Sequence, residues 1–251
     1  MTIDASLVLP EETLALRDLY RKEMDCQIIH DSWHGRGWTD SYLLRLDGRI
    51  VGYGLVGGIR DHPRQTVTEF YLIPAHRGRA HALFRRFVEA SRAKSIEVQS
   101  NDLLLTLMLY DCASGIESNV VLFEDAITTN FSAPGAIFRE LTEGDKESIA
   151  SQGLDTDARW LVEADGVVAA TGGLLFHYNV PYGDIYMATA EPLRQRGYGG
   201  YLIQEVKRLA YEMGKVPAAR CNVTNAASRA TLQKAGMFPC ARVLTGSLKR
   251  D

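Results

Sequence analysis

The sequence predicts an α/β protein of layered α+β type, with two similar units in tandem, each a mixed, mostly antiparallel sheet flanked by helices. Three observations carry that expectation. Apolar residues recur every second position in short runs and at helical spacing in longer ones, and the two kinds of run alternate along the chain. A stretch of small, polar, Pro and Gly residues, AITTNFSAPG at 126–135, divides the 251 residues near their middle. The order of turns before it is repeated after it: Gly48 of an Asp-Gly pair precedes Gly78 of an Arg-Gly pair by 30 residues, and Gly166 precedes Gly197 by 31. The expected organisation is a first domain at 1–126, a linker at 127–136 and a second domain at 137–251.

In the first half, Pro10, Glu11 and Glu12 open a helix expected to reach residue 24, with Leu16, Leu19, Tyr20 and Met24 on one face. Residues 31–39, carrying Trp33, His34 and Trp38, read as a loop anchored by its large aromatics. Strands are expected at 42–46 and 50–55 around the Asp47-Gly48 turn, and at 66–73 before Pro74. The turn 76–80 leads into a helix bearing Leu83, Phe84, Phe87 and Val88. A strand at 96–99 follows, then a helix capped by Asn101 or Asp102 and running to about 110, then a strand at 119–124.

The second half repeats this order. A strand at 137–141 meets a helix begun by Thr142 and ending near 151. Strands at 160–163 and 167–176 form a hairpin around Asp165-Gly166, and the loop holding Pro181, Tyr182 and Gly183 enters a strand at 184–189. A helix at 200–213 follows, with Leu202, Ile203, Val206, Leu209, Ala210 and Met213 at helical spacing. A strand at 218–223, a helix at 226–235 stopped by Gly236 and a strand near 241–245 complete the chain.

Between the 184–189 strand and its helix lies Arg194-Gln195-Arg196-Gly197-Tyr198-Gly199-Gly200. A strand, a glycine-rich turn and a helix N-terminus form an anion site, because the first backbone N–H groups of the helix have no internal partner and the macrodipole is positive there. The glycines allow sharp bends and close approach of a phosphate. Spacing excludes two common phosphate loops. A dinucleotide fingerprint needs a third Gly where Leu202 stands, and a nucleoside-triphosphate loop needs Lys followed by Ser or Thr.

The spacing that does fit, R/Q-x-x-G-x-G/A filled by Arg194, Gly197 and Gly199, resembles the acetyl-CoA diphosphate loop of the GNAT superfamily of N-acetyltransferases. The runs 222–228 (NVTNAAS) and 232–238 (LQKAGMF) are similar to the next element of that family, a strand ending in Asn, a short helix and a Gly-aromatic close. The resemblance implies a tandem of two GNAT-like domains. It covers about 137–246 well and the first half weakly, where Ala75, Ala80 and His81 stand in place of Arg194, Gly199 and Gly200. The first copy is therefore expected to be degenerate, although Arg77 and Arg79 flank its turn.

The resemblance also implies roles. Met187, Ala188 and Thr189 would offer backbone to the pantetheine arm, Arg194, Gln195, Arg196, Gly197, Tyr198, Gly199 and Gly200 would bind the diphosphate, and Asn225 and Ser228 would reach the pantetheine or thioester end. Asn225 also reads as a helix N-cap. Arg229 and Lys234 are candidates for the 3′-phosphate, or plain solvated charges. The implied reaction is direct attack of a neutral amine on the thioester, which needs a base and a proton donor for the thiolate. Asp184 is the expected base and His177 the second candidate. The sequence departs from the family at the donor, since Leu232 occupies the usual Tyr position; Ser228, Cys221 or a tyrosine of 178–186 are the substitutes. Expected functions are an N-acetyltransferase, a non-catalytic acetyl-CoA-binding module, or a transferase of a different acyl group. Asp155, Asp157, Glu163 and Asp184 suit a cationic amine.

Composition narrows the partners. The chain is 46% hydrophobic and 24% charged with a net charge of −3, and no long basic run is present, which argues against nucleic acid. No apolar run approaches bilayer length. Cys26, Cys112, Cys221 and Cys240 have neither zinc-ligand nor disulfide-framework spacing. The expectations are acetyl-CoA as cosubstrate, no metal, no membrane, a small-molecule or peptide amine acceptor, a cytoplasmic setting and a monomer or homodimer.

Overall fold

A computed structural model describes residues 2–28, 31–60 and 62–249, and by contacts the chain divides into two compact units, Met1–Val120 with Ala241–Asp251, and Val121–Cys240. The first unit contains β1 (Ile3–Val8), α1 (Leu14–Met24), α2 (Asp31–Gly35), β2 (Thr39–Leu46), β3 (Arg49–Gly57), β4 (Thr66–Leu72), α3 (Ala80–Ser91), β5 (Ser95–Gln99), α4 (Leu103–Cys112) and most of β6 (Ala113–Asp125). Strands β1 to β4 pair antiparallel in sequence order, and β4 pairs β5 in parallel. The Asp47-Gly48 turn has φ of 47° and 78°, the left-handed pair that a two-residue hairpin needs. Leu83, Phe84 and Phe87 of α3 pack on one face of this sheet, and Leu16 and Tyr20 of α1 on the other.

Several elements differ from expectation. Strand β1 has little sequence signal because only Ala5 in it is fully buried. The 31–39 stretch begins as the short helix α2 rather than a loop. On α1, Leu19 faces out at 46% exposure, while Arg17 is buried with Leu16 and Tyr20. That face is chosen by an ion pair: Arg17 Nε and Nη2 donate to the Glu69 carboxylate at 3.1 and 3.0 Å. Asp102 caps α4 as expected, accepting from Leu105 N at 3.1 Å.

The second unit contains β7 (Ala136–Glu140), α5 (Lys146–Ser151), β8 (Trp160–Ala164), β9 (Val167–Leu175), β10 (Tyr182–Thr189), α6 (Tyr198–Glu212), β11 (Val216–Asn222) and α7 (Ala226–Lys234). Strands β7 to β10 are antiparallel in order, and β10 pairs β11 in parallel. The helix expected from Thr142 starts as a single turn closed by a Thr142–Asp145 capping box, and α5 proper begins at Lys146. Leu202, Ile203 and Val206 of α6 are fully buried against Ile185 and Ala219. On the opposite face, Ile149 of α5 packs with Leu161 and Val168.

The last strand, β12 (Met237–Leu248), is much longer than the expected 241–245. Its distal part pairs antiparallel with β5, from Val243↔Gln99 to Ser247↔Ser95. The second unit accordingly ends at Cys240 by contacts, and backbone pairing with β5 places residues 243–247 in the first unit. The expected linker is also more than a tether. Ala126 N and Ile127 N both donate to Gly236 O at 3.0 Å, and Phe131 N donates to Gln204 Oε1 at 2.6 Å. The buried Lys207 ammonium fixes the same stretch, donating to Ile127 O at 2.8 Å and Ala235 O at 2.7 Å and pairing with Asp125. Among the described residues no helix is long and apolar enough to cross a membrane.

Candidate active site

Strand β10 positions the site. Its parallel rungs with β11 run from Tyr182↔Val216 to Ile185↔Ala219 and then stop, while its antiparallel rungs with β9 continue to Thr189↔Ala170. From Tyr186 onward the edge of β10 turned away from β9 is left without β11, so alternate backbone N–H and C=O groups point into a gap. Met187, Ala188 and Thr189 lie along this edge, each half-buried. The geometry is that of a slot into which an extended ligand adds as a strand.

The turn after β10 carries two left-handed residues. Gln195 and Gly197 are both left-handed, at φ of 64° and 91°, and the backbone between them reverses hand in the manner of an anion nest. Gly197 is the N-cap of α6 and supplies no side-chain acceptor, leaving the first amides of the helix available. Arg194, Gln195, Arg196 and Gly197 are exposed, and Arg194 Nε donates to Thr189 O at 3.4 Å, tying the turn to the end of β10. Gly199 serves packing: a Cβ there would come 2.4 Å from Met187 Cε, 3.0 Å from Thr189 Oγ1 and 3.3 Å from Thr231 Cγ2. At Gly200 the nearest neighbour of a Cβ would be Phe131, at an ordinary 3.6 Å. Tyr198 packs its ring against the core beside α6.

The corresponding turn in the first unit has another shape. Residues Pro74–Arg79 form a 3-10 turn that runs straight into α3, with no left-handed residue among them. His81 Nε2 is hydrogen-bonded to Asp111 at 2.6 Å. Arg77 is engaged with Glu23, with Leu72 O and with the Tyr71 ring, so one of its two expected anion-binding arginines is already committed.

Asp184 lies on β10 opposite Leu175 of β9 and Ala218 of β11. Its side chain is 8% exposed, and burial pushes its carboxyl up to about 6, against the opposing pull of Arg220, whose Nε is 3.4 Å away. That value suits a base working near neutral pH. Alternation along β10 places Asp184 on the face opposite Ile185, which packs under α6. Tyr178 stacks on Arg220, its ring centroid 4.9 Å from Cζ, and His177 lies edge-on to Tyr178 at 4.1 Å.

The structure does not bring Ser228 together with Asp184 on one face. Ser228 is in the first turn of α7, and its side chain lies against Cys221, a β11 residue in the core beneath α6 and α7. Burial raises the Cys221 thiol, partly offset by Arg229. Asn225 is the N-cap of α7, its Oδ1 accepting from Ser228 N at 3.0 Å. Leu232 is buried in the core and supplies no proton. Arg229 donates to Val223 O at 2.8 Å, whereas Lys234 is exposed. Glu163 is held by Arg139 at 2.7 Å, which withdraws it from the group of acids expected around the acceptor. Asp157 N donates to Asp155 Oδ1 at 2.9 Å, within a turn.

Sequence reasoning missed Arg220 and the buried Arg17–Glu69 pair. Arg220 was legible in principle: Ala218 is the rung partner of Asp184, and two residues on along a strand returns to the same face. In the first unit Glu69 stands opposite Leu55, two residues past the last β4–β5 rung at Val67. Burial alone would raise the Glu69 carboxyl, but Arg17 and the Tyr53 hydroxyl, at 2.7 Å, hold it below its usual value.

Comparison with known proteins gives a family for one segment and a fold for the chain. Residues 125–237 match the acetyltransferase (GNAT) family. An acetyltransferase of the GNAT family from Colwellia psychrerythraea superposes with a TM-score of 0.71 at 14% identity, covering 99% of this chain and 100% of its own. A GCN5-related N-acetyltransferase from Sphaerobacter thermophilus gives a TM-score of 0.61 at 15% identity, over 99% and 96%. A tandem GNAT protein from the clavulanic acid biosynthesis pathway gives 0.62 at 12% identity, covering both chains in full. No curated protein sequence matches the chain. At these identities the solved structures establish the fold, and the matched segment spans the slot, the turn and α7. Residues 125–237 are thus a segment similar to the acetyltransferase (GNAT) family, and the chain over its length shares the fold of solved GNAT-family structures.

Proposed function

We propose that the unit Val121–Cys240 moves acetyl from acetyl-CoA to a primary amine by direct attack. The observation that carries this reading is that one strand, β10, bears the buried acid, offers a free backbone edge and runs into the left-handed glycine turn. In this reading the pantetheine lies along Met187, Ala188 and Thr189 as an added strand would. The amides from Gln195 to Gly200, with Arg194 and Arg196, hold the diphosphate. Asn225, whose Oδ1 is used by its cap, offers its amide N–H groups to the pantetheine arm.

Asp184 takes one proton from the acceptor ammonium, directly or through a water. The neutral nitrogen attacks the thioester carbon, the N–C bond forms and the C–S bond breaks. The second proton leaves the nitrogen for the departing thiolate, with Ser228 as the relay beside Cys221. The products are the acetamide, the thiol of CoA and one proton released to solvent from Asp184. The first unit is non-catalytic in this reading, supported by its straight 3-10 turn and by the engagement of Glu69 with Arg17. The setting is cytoplasmic, the protein a monomer or homodimer, and no metal takes part.

One observation favours a second reading, a module that holds acetyl-CoA without turnover: Leu232 is buried where the family carries a tyrosine hydroxyl. A third keeps the chemistry and changes the acyl group. Calorimetric titration with acetyl-CoA, on the native chain and on Gly197→Trp, tests the assignment. One site, lost in the variant, with thiol release in the presence of amines, is the expected result. Binding without thiol release for any amine selects the second reading, and absence of binding overturns the first two.

A further inference from the structure

The geometry points to an acceptor that carries a carboxylate beside its amine, an α-amino acid or a close analogue, with Arg220 as the group that receives the carboxylate. This rests on the acetyltransferase reading and names the substrate class of the same site. Arg220 is one residue beyond Ala219, the last β11 rung with β10, so it stands where the two strands begin to part. Its shortest approach to Asp184 is through Nε at 3.4 Å. A guanidinium is a planar fork with five N–H donors, more than one carboxylate can take up. Among the described residues no side-chain hydrogen bond is made by Arg220, and its side chain is 41% exposed while Asp184 is 8% exposed. Tyr178, stacked on Cζ at 4.9 Å, fixes the plane of the fork.

The first unit shows what the same device looks like when closed. There the buried acid of β4, Glu69, two residues past the last β5 rung, is gripped by both Nε and Nη2 of Arg17, and the Arg17 side chain is 2% exposed. An arginine meant only to neutralise a buried acid is built in that way. Arg220 instead approaches its acid at 3.4 Å with no hydrogen bond from its guanidinium among the described residues and stays 41% exposed, with donors to spare for a second anion. The spacing fits one small molecule. Because the Asp184 carboxylate and the Arg220 guanidinium lie side by side, an amine at the first and a carboxylate at the second can belong to one small molecule. A diamine or polyamine would put a second cation against Arg220.

The test uses the full chain and acetyl-CoA, with free thiol as the readout. The acceptors are the common L-α-amino acids and, for the same side chains, the amine lacking the carboxylate and the methyl ester. The expected result is that kcat/KM for at least one amino acid exceeds that for its decarboxylated amine and its ester by about 10- to 100-fold, the worth of a charge-assisted pair. In Arg220→Gln that ratio collapses towards one, chiefly through KM for the amino acid, and Arg220→Lys restores part of it. Thermal midpoints of both variants close to the native value show that the fold is kept. Equal or better use of decarboxylated amines by the native chain overturns this inference and leaves the acetyltransferase reading standing. Acetyl-CoA binding with no amine of either kind accepted overturns both. A preference that survives in Arg220→Gln overturns the assignment to Arg220.

Discussion

Replacing Asp184 by Asn separates a catalytic from a structural role, because the two predict opposite changes in stability. The carboxyl is pushed from 3.8 to about 6 by burial. Its folded-state pKa is raised, so the folded state binds this proton more tightly than the unfolded chain. The associated stability is fully present below the unfolded value and is lost as pH rises from 3.8 through 6. Above that window, keeping the ionised group in place costs the fold about 3 kcal/mol, at 1.36 kcal/mol per tenfold change in proton affinity. Asn fills the same volume without the charge and removes that cost. Arg220 loses its partner, which costs little for a side chain 41% exposed.

The variant is therefore expected to gain up to about 3 kcal/mol at pH 7.5, a rise in thermal midpoint of up to roughly 10 °C. It is expected to lose roughly 100- to 10,000-fold in kcat. The gain should vanish near pH 4, where the native carboxyl is protonated. Differential scanning fluorimetry across pH and a thiol-release assay make both measurements. A variant that loses rate and stability together would refute the reasoning, since Asp184 would then be a structural residue. Undiminished rate would mean that another group takes the proton.

Other perturbations follow from the same geometry. In the native enzyme kcat/KM should fall about tenfold per pH unit below a midpoint near 6, the value at Asp184, and a flat profile down to pH 4.5 would remove it as the base. Gly199→Val should weaken acetyl-CoA binding at least about tenfold and lower stability by about 1–3 kcal/mol, because its side chain meets Met187, Thr189 and Thr231; unaltered calorimetric affinity would show that the packing there does not shape the turn. Arg17→Met should cost about 3–5 kcal/mol by leaving Glu69 buried and ionised, and adding Glu69→Gln should recover much of it; additive losses in urea denaturation would show that the pair is not coupled.

The parts legible in the sequence are those whose physics is local. Asp47-Gly48 and Asp165-Gly166 make hairpin turns because their own backbones take left-handed values, and Gly197 and Gln195 do so at the anion turn. Asp102 and Asn225 cap the helices that follow them through contacts three residues away. The amphipathic spacing of α6 identifies its buried stripe. The left-handed glycine turn was thus readable from its own residues.

Tertiary structure alone decided what depends on distant segments. The backbone edge along Met187–Thr189 is open because β11 leaves β10 after four rungs, and no property of β10 itself records where its neighbour departs. Arg17 turns inward, against the hydrophobic pattern of its helix, because Glu69 lies 52 residues away in the chain. Residues 243–247 join the first unit because they pair with the backbone of β5. Arg220 meets Asp184 only through the register of β10 on β11. Backbone conformation and capping are set within a few residues, whereas strand register and charge pairing are settled by which distant segments fold side by side.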